Sequence, residues 1–186
     1  MIFNGERCVP ECMSNKIKVY QHHLARYNFS LIYARNKRVL DAACGAGYGT
    51  NLLYDVTKSI LGVDVSAEAI EHAKNKYRGE FEVCNLENSF PDGNFDIAIS
   101  FETIEHLDNP DIFISNIKEK CSEFVFSIPL NMPSTFHKRV YTMESAKALI
   151  EKFYDKDKVF WSSQSGININ KRAREGDKFL IGYAKN

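Results

Sequence analysis

No apolar run in these 186 residues comes near the ~18 that a membrane-spanning helix needs, so no membrane partner is expected. Residues 1–10 hold no apolar segment of the signal-peptide type, and the expected compartment is the cytoplasm. Charge of either sign is not in excess: Lys+Arg and Asp+Glu each number 24, and the formal net charge is zero. Chains that live on nucleic acid carry a basic surplus, so a small, neutral partner is expected ahead of RNA or DNA. The five cysteines, Cys8, Cys12, Cys44, Cys84 and Cys121, are odd in number and scattered. Cys8 and Cys12 have no nearby third thiol or histidine pair, which argues against zinc or iron–sulfur spacing and for free thiols in a reducing compartment. Internal repeats, low-complexity tracts and interdomain linkers are missing too.

The rest is an ordinary globular balance, 44% apolar and 26% charged, at a length that fits one domain over residues 1–186. Apolar, β-rich runs at residues 38–44, 59–65, 80–85, 95–101, 123–130, 158–161 and 178–184 read as strands buried on both faces. Helical patterns alternate with them. Ser66 is placed to cap residues 67–77, Asn109-Pro110-Asp111 to open a helix to about residue 120, and Thr142 to cap residues 143–153. Residues 16–33 form a further helix ahead of the first strand. The alternation predicts an α/β domain with a mostly parallel sheet of seven strands and an antiparallel strand at an edge. Residues 162–175 read as a mobile loop. The division expected is a lid segment and helix over 1–37, then a core over 38–186.

The sharpest feature is Asp41-Ala42-Ala43-Cys44-Gly45-Ala46-Gly47-Tyr48-Gly49, a buried strand running into a glycine turn and a helix. Glycines there let the backbone take positive φ close to a ligand, at the strand ends where α/β sheets bind ligands. The spacing is G-x-G-x-G, not the G-x-G-x-x-G of dinucleotide-binding folds. A second strand ends in Asp64, followed by Val65 and Ser66, and a carboxylate so placed can accept both hydroxyls of a ribose. Taken alone, a glycine turn is only a tight turn. Four such elements in order on one sheet carry more weight.

Together these segments resemble the class I S-adenosylmethionine (SAM)-dependent methyltransferases, over about residues 39–130. The resemblance implies a Rossmann-like, doubly wound sheet. It assigns Asp41 and the turn Ala43, Cys44, Gly45 and Gly47 to the methionine part of SAM, Asp64 with Val65 to the ribose, Asn85 and Leu86 to the adenine, and Phe101, at the end of the fourth strand, to the vicinity of the methyl group. Ala43 stands where the family has its first glycine, which predicts a less tight backbone at that point. Asn85 stands for the common aspartate and keeps a carbonyl acceptor.

Glu102-Thr103-Ile104-Glu105-His106 follows the fourth strand. As one helical turn, its i, i+3 and i+4 spacings bring Glu102, Glu105 and His106 to one side. Two carboxylates and an imidazole suit Mg²⁺ or Mn²⁺, whereas zinc more typically takes a further nitrogen or sulfur. His137 lies in the next strand-end loop. E-x-x-E-H followed by H-K-x-x-aromatic-T resembles the metal site of methyltransferases acting on the 2′-hydroxyl of small-RNA 3′ ends, and ubiquinone-pathway O-methyltransferases carry a related run. The resemblance makes Glu102, Glu105, His106 and His137 metal ligands. Without a metal, His106 or His137 is the general base. E-H-L also occurs in metal-free methyltransferases, with Glu105 capping or pairing and His106 packed under SAM.

No Asn/Asp-Pro-Pro-aromatic motif of amino-methylating DNA enzymes and no Pro-Cys pair of cytosine methylation is present, which favours an oxygen acceptor. The N-terminal segment, residues 5–27, is similar to small methyltransferases associated with polysaccharide modification. In that resemblance the first helix covers the cofactor, Arg26 pairs with the methionine carboxylate and Tyr27 lines the pocket. The alternative for this helix is plain packing on the sheet. The function expected is a SAM-dependent O-methyltransferase acting on a hydroxylated small molecule, a sugar or sugar nucleotide. The other readings are an RNA 3′ end, a catechol or quinone served by an apolar pocket of Met132, Phe136 and Trp161, and a SAM- or NAD-binding module without turnover.

Overall fold

The computed structural model describes residues 7–12 and 17–186. Residues 1–6 of the expected lid, and Lys16 at the start of the expected first helix, lie outside the described residues. Five strands run parallel: β1 (Arg38–Ala42), β2 (Ser59–Asp64), β3 (Glu80–Val83), β4 (Phe95–Phe101) and β5 (Cys121–Pro129). With β6 (Val159–Ser165), β7 (Asn168–Asn170) and β8 (Phe179–Lys185) they make one sheet in the order β3-β2-β1-β4-β5-β8-β6-β7. The helices are α1 (Ile17–Ala34), α2 (Tyr48–Leu53), α3 (Ala67–Lys76), α4 (Pro110–Lys120) and α5 (Met143–Glu151).

The continuous apolar runs of the central strands are sorted by the two-residue period of the pleat. Val39, Ile97, Ile99 and Val125 face one side and pack with Tyr27 of α1 and Leu53 of α2. Leu40, Ala98, Phe124 and Phe126 face the other and pack with Phe113, Ile114 and Ile117 of α4 and with Leu149 and Ile150 of α5. Each fully buried side chain of this size contributes about 1.5–3 kcal/mol, so burial on both faces is what holds the parallel strands. Helix starts follow local chemistry. Ser66 accepts from the Ala69 N–H at 3.2 Å, and Thr142 and Ser145 form a reciprocal capping box. Asn109, by contrast, makes no side-chain cap; Pro110 in the first turn opens α4.

Two expectations are corrected. The sheet has eight strands rather than seven; the expected antiparallel edge strand is present as β7, and a second antiparallel strand, β8, lies inside the sheet between β5 and β6. Residues 162–175 are not simply a mobile loop, because 162–165 complete β6 and 168–170 form β7, paired Gln164↔Ile169. The segment is polar in sequence because its polar groups are satisfied inside the protein. Ser163 donates to Asp177 at 2.5 Å and accepts from the Arg174 N–H at 3.0 Å, and Gln164 is fully buried. Among the described residues no helix is long and apolar enough to cross a membrane.

The chain steps outward from β1 through β2 to β3, then returns to place β4 on the other edge of β1. That reversal opens a crevice beyond the carboxyl ends of β1 and β4, where doubly wound sheets take ligands. The packing behind it leaves no slack at Gly182 of β8: a Cβ there would lie 2.1 Å from Cζ of the fully buried Phe126. Gly182→Ala is therefore expected to lower stability by about 1–3 kcal/mol through overpacking, read as a lower urea midpoint at unchanged m-value.

Candidate active site

The turn after β1 is built from left-handed residues: Ala43 at φ 65°, Gly45 at 56° and Gly47 at 87°. The looser backbone expected at Ala43 is not found. Alanine takes the conformation a glycine would, at a cost of about 1–2 kcal/mol for an L side chain. At Gly47 a Cβ would meet the Ala73 Cβ at 2.5 Å, so α3 closes that position to any other residue. Asp41 lies under the turn, fully buried, and accepts from Thr50 Oγ1 at 2.6 Å and Tyr27 OH at 3.2 Å. Burial raises its pKa to about 7. It does not line the cavity. The expectation that Asp41 touches the methionine part is corrected: it ties α1 and α2 to β1 from below.

Above the turn lies a cavity of about 530 Å³. Asp64, at the end of β2, accepts from the Gly45 N–H at 3.0 Å and the Ser66 N–H at 2.9 Å and pairs with Arg7 at 3.3 Å. Ala43, Cys44, Gly45, Asp64, Val65, Asn85, Leu86 and Phe101 all line this cavity. Gly47 stands behind its wall as a spacer against α3. Tyr27 also lines it, as expected for the first helix. Sequence reasoning missed His23 and Tyr48, whose side chains meet at 3.0 Å on the cavity wall. Helical spacing was the available signal, since His23 lies three and four residues before Arg26 and Tyr27.

Arg26 is placed otherwise than expected. Its side chain is fully buried, donates to Gln164 Oε1 at 2.7 Å, lies 4.5 Å from the Phe179 ring centroid and is ion-paired with Glu102. No surface remains for a methionine carboxylate.

Beyond β4 the E-x-x-E-H segment divides. Only Ile104–His106 is helical, as a 3₁₀ turn, whereas Glu102 sits at φ 53°. The expected helical turn over all five residues does not form, so Glu102 points away, toward Arg26 and His23. Glu105, His106 and His137 do converge, with one ligand-type atom from each within 4.8 Å of the others. The loop after β5 is fastened to the 3₁₀ turn: the Lys138 and Arg139 N–H groups donate to the Glu105 carbonyl at 2.9 and 3.2 Å, and the Arg139 side chain donates to the Leu107 and Asp108 carbonyls. His106 Nδ1 donates to the Phe136 carbonyl at 2.9 Å and His137 Nδ1 to the Met132 carbonyl at 2.7 Å. A carbonyl only accepts, so each neutral ring turns its Nε2 lone pair inward. Glu105 is fully buried, neither carboxylate oxygen has a hydrogen-bond partner, and burial raises its pKa to about 8. Of the apolar trio Met132, Phe136 and Trp161, only Phe136 lines the cavity; Trp161 packs edge-on against Phe126.

Residues 40–122 match the family model described as a methyltransferase domain. The chain is 31% identical over 113 residues to a probable S-adenosylmethionine-dependent methyltransferase of Mycolicibacterium smegmatis, covering 60% of this chain and 44% of that protein. It is 27% identical over 124 residues to the ubiquinone biosynthesis O-methyltransferase of Pelagibacter ubique, covering 63% of this chain and 51% of that one. The chain thus spans about half the length of these curated relatives. Among solved structures, a SAM-dependent methyltransferase from Thermotoga maritima, a possible histamine N-methyltransferase, superposes with a TM-score of 0.76 at 17% identity over 97% of each chain. That likeness shows the fold.

The buried carboxyl under the turn has a measurable consequence. Asp41 holds its proton to about pH 7 when folded, against 3.8 for its ordinary value. Between those values the folded chain binds more protons than the unfolded one, so this group's contribution to stability is full at low pH and is lost as pH rises toward 7. Asp41→Asn is expected to flatten the fall of the urea midpoint between pH 4.5 and 7.5. An unchanged slope would show that Asp41 does not titrate in this window.

Proposed function

We propose that this chain is a class I, SAM-dependent methyltransferase and that it transfers the methyl group of SAM to a hydroxyl oxygen of a small, polyhydroxylated molecule of the sugar or sugar-nucleotide type, in the cytoplasm. The observation that carries the cofactor reading is Asp64. It is aimed into the cavity by the Gly45 and Ser66 N–H groups, with Asn85 and Leu86 beyond it and the glycine turn before it. In that frame Asp64 accepts the ribose hydroxyls, Asn85 and Leu86 bound the adenine, and the sulfonium lies over the turn near Phe101.

The acceptor end is the Glu105–His106–His137 cluster. Its donor set is one buried carboxyl with both oxygens unsatisfied and two imidazoles whose Nδ1 atoms are fixed by carbonyls, the outer-sphere arrangement usual for metal-bound histidine; two nitrogens and one carboxylate suit Mn²⁺ or a similar transition ion better than Mg²⁺, which prefers oxygen ligands. Glu102 is not part of that set. A cation bound there lowers the pKa of a hydroxyl that is otherwise a poor nucleophile. The residues themselves orient the acceptor. With no cation bound, His106 or His137 can take the proton of its hydroxyl through Nε2, and the shared cavity brings the oxygen in line behind the methyl group. Such alignment is worth several kcal/mol, up to ~10.

A small acceptor is favoured over RNA because Lys171, Arg172 and Arg174 do not line the cavity, and Lys138, which does, is paired with Asp108 at 2.6 Å. A catechol-type acceptor is the second reading, favoured by Leu107, Phe113 and Phe136 on the wall and by the likeness to a ubiquinone-pathway O-methyltransferase.

Calorimetry tests the cofactor. SAM and S-adenosylhomocysteine are expected to bind and NAD is not, and Asp64→Ala is expected to weaken SAM about ten- to a hundredfold, the worth of a charge-assisted hydrogen bond. Binding of NAD without SAM would overturn the reading. For the metal, chelation by EDTA is expected to abolish turnover, and Mn²⁺ to restore it and raise the melting temperature. Glu105→Gln and His137→Ala are each expected to remove that thermal shift. A shift that survives both substitutions places the ion elsewhere.

A further inference from the structure

This inference rests on the SAM reading and goes beyond it to Glu102, which the E-x-x-E-H resemblance assigns to a metal. The binding frame proposed above, laid on the strand order, assigns each part of the cofactor a place. Adenine falls at the end of β3 and ribose at Asp64 on β2, so the amino-acid end lies over the β1 turn and the end of β4, against α1. Four carboxylates line the cavity. Asp64 is at the ribose, Glu87 accepts from the Asn109 N–H, and Asp108 pairs with Lys138. Glu102 is the one that stands at the amino-acid end, beside His23 and Tyr27.

Its geometry is over-determined. Glu102 is held in the left-handed region at φ 53°, unfavourable for a side chain of its kind, and its N–H donates to Ser127 Oγ at 3.1 Å. Arg26 and His23 both address the same oxygen, Oε1, with His23 Nε2 at 3.3 Å. Tyr48 OH on His23 Nδ1 leaves the Nε2–H to donate to the carboxylate. Oε2 has no protein partner among the described residues, and the side chain is 23% exposed, toward the cavity. Arg26 is locked from behind by Gln164 and Phe179. A carboxylate with one oxygen saturated by protein and the other turned to a ligand cavity suits a cationic hydrogen-bond donor. The amino-acid end of SAM carries one in its α-ammonium group.

We propose that Glu102 binds the α-ammonium of the cofactor through Oε2, and that Arg26 is the positioning residue that holds it there. Equilibrium binding in EDTA, with S-adenosylhomocysteine and 5′-methylthioadenosine as probes, separates this from a metal role. 5′-Methylthioadenosine lacks the amino-acid end. Glu102→Gln is expected to weaken S-adenosylhomocysteine about ten- to a hundredfold, the range for a hydrogen bond to a charged group, and to leave 5′-methylthioadenosine unchanged. Arg26→Met is expected to show the same split and Arg26→Lys to recover part of it, which a merely structural role would not do. Unchanged S-adenosylhomocysteine affinity in Glu102→Gln overturns the proposal. If the variants do not fold, the wild-type protein decides: S-adenosylhomocysteine lacking its α-amine is expected to bind about ten- to a hundredfold more weakly than the parent, and parity overturns the assignment. A wild-type protein that takes none of these adenosyl ligands ends the SAM reading itself.

Discussion

The reversal after β1 is the constraint on which the rest depends. A strand buried on both faces has to end and a helix has to begin between Ala42 and Tyr48. The chain manages this with positive φ at Ala43, Gly45 and Gly47. Two carboxylates hold the result from opposite sides. Asp41 below bonds to Thr50 of α2 and Tyr27 of α1, and Asp64 above bonds to the Gly45 N–H. The same turn therefore joins β1, β2, α1 and α2, and its upper surface is the floor of the cavity. Strain at Ala43 is tolerated because these partners leave the backbone no other path.

The end of β4 repeats the device with different chemistry. Glu102 is left-handed and bonded through its N–H to β5, through its carboxylate to α1. Immediately after it a single 3₁₀ turn carries Glu105 and His106 the other way. One backbone kink thus parts Glu102 and His106 on the cavity wall and leaves Glu105 fully buried. Glu102 goes to the side nearest α1, and Glu105 and His106 to the side roofed by the loop after β5.

That loop has no regular structure, yet its position is defined by backbone hydrogen bonds to Glu105 and by Arg139 on two carbonyls. His137 reaches His106, 4.9 Å between ring centroids, because of these fastenings. Glu105 is then buried with neither oxygen hydrogen-bonded, and burial raises its pKa to about 8, which keeps the carboxyl mainly in its neutral form near pH 7.

What the sequence determined by itself was local and periodic. The buried runs, the caps at Ser66 and Thr142, the glycine turn and the acidic end of β2 were all legible, because they depend on residue type and spacing along a few turns or one strand. Tertiary structure decided what distant groups share. Gln164 and Ser163, polar enough to read as loop, became strand because Arg26, Asp177 and Arg174 satisfy them. β8 entered between β5 and β6, which no local pattern announces. Asp41 went under the turn, and Arg26 met Glu102 76 residues away instead of a ligand. A side chain's partner across the fold depends on backbone direction at single residues such as Glu102, and one left-handed φ there redirects a carboxylate that helical spacing had placed with its neighbours.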